Sequence, residues 1–332
     1  MRAQKAHIEK RKVKTQSEKF LVLGSSFALF ALSFTLLCGC QKEALHKESR
    51  IMMGTFVEVS SPNKKTAEIV FAEIKRIENL LSKYLPGGEV FELNKIGKLK
   101  VSPETFYIIK RSIEFSKASN GAFDITVAPL VDLWGFTNKD YRVPNYTDIK
   151  SALKLVGSDK IILHENDNVV EFLLPGMKID LGAIAKGYAL DCAVKKLKEE
   201  GIISCLINAG GQVYCLGAKS GQPWKIAIRE PGSKDYGGYF ALQDKSASTS
   251  ADYEQFFIQK KKRYGHIINP KTGYPADNTI ESVTVVAPDG LTADALSTAI
   301  FVLGKEKGLS LAKEFTEVEV KIIEKNNIQN IK

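Results

Sequence analysis

The chain has 332 residues, of which 44% are apolar and 26% are charged. These proportions are typical of a globular protein with a full-sized core, and they exclude a disordered or collagen-like chain. More than half of the net charge of +9 lies in the first nineteen residues, where seven Lys or Arg outnumber two Glu. The remaining excess is small, and no basic run with interleaved aromatic residues indicates nucleic-acid binding.

The N-terminus is predicted to be an export signal. The basic start leads into residues 20–37, eighteen residues without a charge, and then into "LCGC" at 37–40. A basic start, an apolar core and small residues are typical of a secretory signal, and "LCGC" is similar to the lipobox of bacterial lipoproteins. Residues 1–39 are then a signal peptide, Cys40 carries the lipid, and residues 40–50 form a polar tether.

An uncleaved N-terminal anchor is the alternative, because eighteen apolar residues are just long enough to span a bilayer. Both interpretations place the rest of the chain outside the cytoplasmic membrane. With the lipid, the protein is expected to be anchored on the outer side of that membrane, at the periplasmic face, or in the outer membrane if the cell is Gram-negative.

The following segments alternate between strand and helix patterns. "FVEV" at 56–59 alternates as a strand does, and residues 65–85 repeat apolar side chains at helical spacing. A second helix is predicted to begin with Ser102 as its N-cap and Pro103 as its first residue, and to end near Gly121.

The second half of the chain continues the mixture. "KIILH" and "NVVEFLL" predict a hairpin, and residues 183–201 predict a long helix. Further strands are predicted in "SCLINAGGQVYCLG", "WKIAIREP", "FFIQ", "YGHIIN", "ESVTVVA" and "EVEVKII". Neighbouring strands with interspersed helices favour the α+β fold class, with largely antiparallel sheets and packed helices. One catalytic-sized domain is expected over residues 51–332.

Three cysteines lie beyond the signal region, Cys192, Cys205 and Cys215. Their spacing is not that of metal ligands, so a zinc site is not indicated. Cys205 and Cys215 flank a Gly-Gly loop, and they either pair in an oxidising compartment or remain buried free thiols.

The segment "TADALSTAIF" at 292–301 contains a carboxylate, Asp294, four residues before a hydroxyl, Thr298. Residues four apart share a helix face, so these two oxygens would suit one hard cation. The structural alternative is a helix start in which Thr292 caps the first turn and the macrodipole favours the acid.

Two other segments offer chemical groups. Residues 179–191 join a strand to a helix through Gly182, which is either an ordinary turn or a phosphate site assisted by Lys186. The two glycines of "NAGGQ" are either a hairpin turn or a point of close ligand approach. His266 is the better placed histidine if the protein uses a base, although a strand histidine is often structural.

The order of these segments resembles the FAD:protein FMN transferase (ApbE) family. The resemblance rests on "MGT", "SKY", "GAFDIT", "IDLGAIAKGYALD", "NAGG", "TSADYE", "HIINPKTG" and "ADALSTA". It covers residues 53 to about 304 and implies a single ApbE-like (T-fold-like) catalytic domain. Ala251 stands where members often have Gly, and Asn269 stands where Asp is usual.

The resemblance also implies two sets of site residues. At FAD it places Met53, Tyr84, Ala122, Phe123, Asp124, Asp180, Lys186, and His266 or its neighbour Ile267. Around Mg²⁺ it places the backbone carbonyl of Ala183 with Asp294, Ser297 and Thr298. His266 would in addition be the catalytic residue that takes a proton.

The implied reaction is a Mg²⁺-dependent transfer of FMN from FAD to a threonine or serine hydroxyl of an exported acceptor flavoprotein. A phosphoester forms and AMP leaves. Family acceptors are exported subunits of membrane redox complexes, such as sodium-pumping NADH:quinone oxidoreductase or Rnf-type complexes, and other extracellular flavoproteins. The alternatives are a Mg²⁺-dependent FAD pyrophosphatase that gives FMN and AMP, and a non-catalytic FAD-binding lipoprotein.

Overall fold

The computed structural model describes residues 44–229, 236–277 and 279–325. The predicted signal peptide, residues 1–39, and the lipidation residue Cys40 lie outside the described residues. The unit Leu45–Lys332 is compact. Among the described residues, no helix is both long enough and apolar enough to cross a bilayer.

The helices and strands alternate along the chain, as predicted. The helices are α1 Thr66–Leu81, α2 Glu89–Ile96, α3 Pro103–Ala118, α4 Ala128–Leu133, α5 Tyr146–Leu153, α6 Ala185–Glu199, α7 Gly290–Leu303 and α8 Lys305–Ala312. The strands are β1 His46–Met52, β2 Thr55–Ser61, β3 Lys98–Lys100, β4 Ile161–His164, β5 Val169–Phe172, β6 Cys205–Ala209, β7 Gln212–Leu216, β8 Trp224–Arg229, β9 Tyr236–Leu242, β10 Lys245–Ala251, β11 Phe256–Gln259, β12 Lys262–Gly265, β13 Ile280–Ala287 and β14 Glu319–Glu324.

A seven-stranded sheet forms the centre of the described structure, in the order β1-β2-β6-β7-β10-β13-β14. Each neighbouring pair in it is antiparallel. Helix α7 packs on β10 and β13, α6 packs on α7, and α1 packs on α6. Smaller sheets are formed by β3-β5-β4, β8-β9 and β11-β12. The predicted α+β class with largely antiparallel sheets is confirmed.

The structure differs from the predicted element boundaries in three places. Strand β1 occupies residues 46–50 of the predicted tether, because it pairs with β2 as an edge strand that exposes polar side chains. Helix α1 ends at Leu81, so Tyr84 lies beyond it. Strand β12 ends at Gly265, before His266, because the chain then enters a turn in which the Asn269 side chain accepts from the Lys271 N–H.

The two cysteines of the β6-β7 hairpin cannot form a disulfide bond. The strand register places Cys215 opposite Leu206, not opposite Cys205. Neighbouring residues of a strand point to opposite faces, so Cys205 and Cys215 lie on opposite sides of the sheet. Both are buried free thiols.

Helices α6 and α7 cross with their backbones in close approach. A β-carbon on Gly187 would lie 2.0 Å from the carbonyl oxygen of Gly290. The carboxylate of Asp191 accepts from the N–H groups of Gly290, at 2.6 Å, and Leu291, at 2.9 Å. The first turn of α7 is therefore fixed against α6.

The cap of α7 differs from the prediction. The helix begins at Gly290, and its N-cap is Asp289, whose side chain accepts from the Thr292 N–H at 2.7 Å. Thr292 is thus a first-turn residue and not the cap. Asp294 lies one turn after Gly290, and its carboxylate accepts from the Gly187 N–H of α6.

We expect Gly187→Ala to lower the free energy of unfolding by about 1–3 kcal/mol, because the added methyl group must push two backbones apart. Urea unfolding followed by circular dichroism measures the change. Gly265→Ala is the matched control, since a β-carbon there meets its nearest atom at 3.6 Å. A free energy of unfolding equal to that of the unmodified protein would show that the crossing tolerates more space than the structure indicates.

Candidate active site

A cleft of about 410 Å³ opens beside the α6-α7 crossing. It is bounded by the β1-β2 turn, the start of α6, strand β10, helix α7 and the segment after β12. The predicted site residues that line it are Met53, Tyr84, Ala122, Phe123, Asp124, Asp180, Ala183, Lys186, His266, Ile267, Asp294 and Thr298. The structure therefore brings together all of the predicted site residues except Ser297.

Met53 enters the cleft from a strained turn. Its φ of 48° is left-handed, a conformation that costs a residue with a β-carbon about 1–2 kcal/mol. The N–H of Met53 donates to Glu78 Oε1 of α1 at 2.7 Å. This hydrogen bond holds the turn in which Met53 and Gly54 line the cleft.

Asp180 is held by a buried lysine. Lys83 Nζ lies 2.9 Å from Asp180 Oδ2 and 3.6 Å from Asp132 Oδ1, and only 7% of the Lys83 side chain is exposed. Burial opposes the charged form of Lys83, but the two carboxylates nevertheless hold its pKa above the ordinary value. Asp180 Oδ1 accepts from the Gly182 N–H at 2.8 Å, so the carboxylate has a fixed orientation.

We expect Lys83→Met to lower the free energy of unfolding by about 1–3 kcal/mol. Removing one partner of a buried pair costs about 3–5 kcal/mol, and the 21% exposure of the Asp180 side chain reduces that cost. Lys178→Met is the matched control, because Lys178 is 47% exposed where it meets Asp132, and exposed pairs contribute at most about 1 kcal/mol. Equal losses in the two variants, measured by urea unfolding, would contradict the assignment.

The Asp124 carboxylate accepts hydrogen bonds from backbone N–H groups of the protein. Oδ1 accepts from the Thr126 N–H at 2.8 Å, and Oδ2 accepts from the Ser158 N–H at 2.9 Å. Burial raises the pKa of Asp124, while these hydrogen bonds oppose the rise. Asp124 thus fixes the loop that carries Ala122 and Phe123 to the cleft.

The start of α6 favours the ordinary turn over the anion site. The helix begins at Ala185, two residues later than predicted. The Ala185 N–H donates to the carbonyl of Leu181 at 2.8 Å, and the Gly187 N–H donates to Asp294 Oδ2 at 3.0 Å. Since these two N–H groups have partners in the protein, Lys186 is the group of this segment that offers positive charge to the cleft.

Asp294 lines the cleft from helix α7. It is 3% exposed, and its Oδ1 accepts from Ser248 Oγ at 3.2 Å and lies 3.9 Å from Lys186 Nζ. Thr298 follows one turn later, with Oγ1 3.2 Å from Ser250 Oγ. The carboxylate of Asp294 and the hydroxyl of Thr298 lie on one helix face, and Ala183, which has a backbone carbonyl oxygen, lines the same cleft. These are hard oxygen donors of the kind that Mg²⁺ prefers. The residues present fit a magnesium ion.

Ser297 lies behind this wall. It is fully buried, and its hydroxyl donates to the backbone carbonyl of Asp294 at 2.9 Å. The same hydroxyl lies 2.9 Å from Ser250 Oγ. Ser297 is not among the residues that line the cleft, so the ligand set considered below consists of the other three, and a role of Ser297 as a ligand stays a prediction.

His266 has a defined tautomer. Nδ1 lies 3.1 Å from the backbone carbonyl of Gln255, which only accepts, so Nδ1 carries the proton. Nε2 is therefore the acceptor nitrogen. Burial lowers the pKa of His266, against the opposing effect of the Gln255 carbonyl, and the neutral imidazole is favoured.

Sequence reasoning missed several polar residues of the cleft, namely Gln212, Ser248, Ser250 and Glu254. Strand β10 contained a usable signal, because "KSASTSA" has serine at every second position and alternate residues of a strand share a face. Ser246, Ser248 and Ser250 are indeed all buried. Gln212 and Glu254 end the segments "NAGGQ" and "TSADYE" of the sequence analysis, but neither was named there as a site residue.

The ApbE family model matches residues 53–322. The FAD:protein FMN transferase of Klebsiella pneumoniae (strain 342) is 33% identical over 289 residues, which are 85% of this chain and 90% of that protein. The FAD:protein FMN transferase of Treponema pallidum (strain Nichols) is 32% identical over 321 residues, covering 87% of this chain and 88% of that protein.

Solved structures agree with the sequence matches. The ApbE protein of Thermotoga maritima superposes with a TM-score of 0.79 at 34% identity and covers 85% of this chain and 94% of its own. Because the family model spans most of the sequence, and because curated relatives above 30% identity are covered over nearly their full length, the chain belongs to the ApbE family.

Proposed function

We propose that the protein transfers FMN from FAD to a threonine or serine hydroxyl of an acceptor flavoprotein in a Mg²⁺-dependent reaction. The hydroxyl oxygen forms a bond to the FMN-side phosphorus, the bond from that phosphorus to the bridging oxygen breaks, and AMP leaves with the bridging oxygen. The observation that carries this proposal is the single cleft that unites Lys186, His266, Asp294 and Thr298 with the residues expected at FAD.

The charges of the cleft suit a diphosphate. Asp294, Thr298 and the Ala183 carbonyl would hold the Mg²⁺ ion, which when bound neutralises phosphate charge and so favours attack and departure of AMP. Lys186 Nζ lies 3.9 Å from Asp294 Oδ1, and its positive charge would bind the diphosphate beside the ion. Phosphoryl transfer depends mainly on such positioning and electrostatics.

His266 takes the proton of the attacking hydroxyl. Its Nε2 is the free acceptor because Nδ1–H donates to the Gln255 carbonyl. Burial keeps the ring neutral before the reaction, which is the form that accepts a proton. This acid–base contribution amounts to about 10²–10⁴-fold in rate.

The location and partners of the protein belong to the same proposal. The pattern of residues 1–40 supports a lipid on Cys40 and attachment to the outer side of the cytoplasmic membrane, or to the outer membrane. Acceptors would be exported subunits of sodium-pumping NADH:quinone oxidoreductase or Rnf-type complexes, or other extracellular flavoproteins.

A labelling experiment tests the reaction. Purified protein, FAD and Mg²⁺ are mixed with an acceptor that carries a Ser/Thr-Gly-Ala-Thr-like segment, and flavin fluorescence is recorded on a denaturing gel. A fluorescent acceptor band that disappears when the final threonine is changed to valine supports the transfer. Free FMN and AMP without labelling would indicate a pyrophosphatase, and intact bound FAD would indicate a binding lipoprotein.

A further inference from the structure

Gln212, the first residue of β7, has a buried side-chain oxygen without a partner. Gln212 is 1% exposed, and its Oε1 has no hydrogen bond within the part of the chain that the structure describes. Gln212 also lines the cleft. A buried acceptor without a donor costs about 1–3 kcal/mol, so the position requires an explanation.

The orientation of the Gln212 amide is fixed by its other end. Nε2 donates to Ser246 Oγ at 2.9 Å and to the carbonyl of Gly290 at 3.4 Å. Ser246 Oγ donates its own proton to the carbonyl of Val213 at 2.6 Å, so it accepts from Gln212. Exchanging the amide oxygen and nitrogen would place the oxygen against the Gly290 carbonyl. Oε1 is therefore the unpartnered atom.

Gln212 lies beside the wall that carries Asp294. Its strand partner across the sheet is Ser248, and directly opposed residues point to the same face. Ser248 Oγ donates to Asp294 Oδ1, and the Gly290 carbonyl that Gln212 contacts lies one turn before Asp294 on α7. The oxygen thus lies on the same side of the cleft as the carboxylate expected to hold a cation.

We propose that Gln212 is a positioning residue whose Oε1 accepts a hydrogen bond from the hydration water of the cation held by Asp294 and Thr298. This inference rests on the magnesium site of the proposed function. Mg²⁺ retains several waters when bound by few protein ligands, and those waters are donors that require acceptors. Gln212 supplies a buried neutral acceptor at that position.

The test measures metal binding, not turnover. Mn²⁺ is titrated into protein that contains FAD and no acceptor, and free Mn²⁺ is followed by electron paramagnetic resonance. Gln212→Met keeps the volume and removes Oε1, and we expect the dissociation constant for Mn²⁺ to rise about 10-fold, as is typical when an outer partner of a metal site is lost. An unchanged constant would overturn the inference.

Two controls separate the role of Oε1 from a structural effect. Ser246→Ala removes a partner of Nε2 but leaves Oε1, and Gln222→Met changes an exposed glutamine. Both should bind Mn²⁺ as the unmodified protein does. A loss in Ser246→Ala equal to that in Gln212→Met would show that the amide only supports the fold, and would overturn the proposal.

Asp294→Asn distinguishes this inference from the proposed function. If Asp294→Asn loses Mn²⁺ while Gln212→Met keeps it, the cation site stands and the inference about Gln212 fails. If the unmodified protein itself takes up no Mn²⁺, the magnesium site of the proposed function fails, and Gln212 has no role toward it. A loss in Gln212→Met as complete as in Asp294→Asn would mark Gln212 as a direct ligand, contrary to the proposal.

Discussion

Asp294→Asn is expected to reduce FMN transfer on the order of 10³-fold at saturating FAD and limiting Mg²⁺. The substitution removes the negative charge from the proposed ligand set, and a metal ion contributes several kcal/mol of charge stabilisation in the transition state. The readout is the rate at which fluorescence appears in the acceptor band. Excess Mg²⁺ should restore part of the rate, because the oxygen of the amide remains a weak ligand.

The choice of asparagine keeps the helix crossing intact. Asp294 accepts from the Gly187 N–H and from Ser248 Oγ. The side-chain oxygen of asparagine can still accept from the Gly187 N–H, and the hydroxyl of Ser248 can rotate to accept from the new NH₂ group. Alanine would leave the buried Gly187 N–H without a partner, at about 1–3 kcal/mol. Asp277→Asn, at an exposed acid paired with Lys262, is the control. A normal rate in Asp294→Asn at limiting Mg²⁺ would remove Asp294 from the metal site.

Local patterns in the sequence were sufficient for the long helices, for most of the strands and for part of the site, but not for the short helices α2, α4, α5 and α8. Ser102 caps α3 and Pro103 is its first residue, as predicted, and Gly121 has a φ of +74°. The spacing of Asp294 and Thr298 predicted that both lie on one helix face, and both line the cleft. These features depend on residues within one or two turns of each other.

The remaining features depend on contacts between distant segments. Lys83 and Asp180 form an ion pair although they are 97 positions apart in the sequence. Gln212 lies on the same side of the cleft as Asp294 because of the β7-β10 register and the α6-α7 crossing. The spacing of residues along the chain does not predict such pairings. The sequence likewise does not show that Ser297 is absent from the lining of the cleft, because a residue three positions after Asp294 shares its general helix face.

The α6-α7 crossing links stability to chemistry. The Gly187 N–H donates to Asp294, and the neighbouring side chain, Lys186, faces the cleft with Nζ 3.9 Å from the same carboxylate. The first turn of α6 therefore sets the distance between the acid proposed to bind the cation and the lysine proposed to bind the diphosphate. A substitution that widens the crossing, such as Gly187→Ala, should for this reason lower transfer even in molecules that remain folded.

His266→Gln is expected to lower the transfer rate by about 10²–10⁴-fold, because glutamine cannot take the proton of the attacking hydroxyl. In the unmodified protein, burial lowers the pKa of His266 below the ordinary value of about 6.5. The neutral base therefore persists above that lowered pKa, and the rate should fall only as the pH decreases through it. The variant should lose this acidic limb of the pH profile, because its side chain does not titrate.

Binding of FAD separates a base from a substrate contact. Flavin fluorescence titration of His266→Gln should give a dissociation constant for FAD within about threefold of that of the unmodified protein, since only the proton acceptor is removed. His164→Gln, at an exposed histidine that contacts Glu171, should leave both the rate and its pH profile unchanged. Loss of FAD affinity in His266→Gln would make the residue a substrate contact, and an unchanged acidic limb would assign that titration to another group of the cleft.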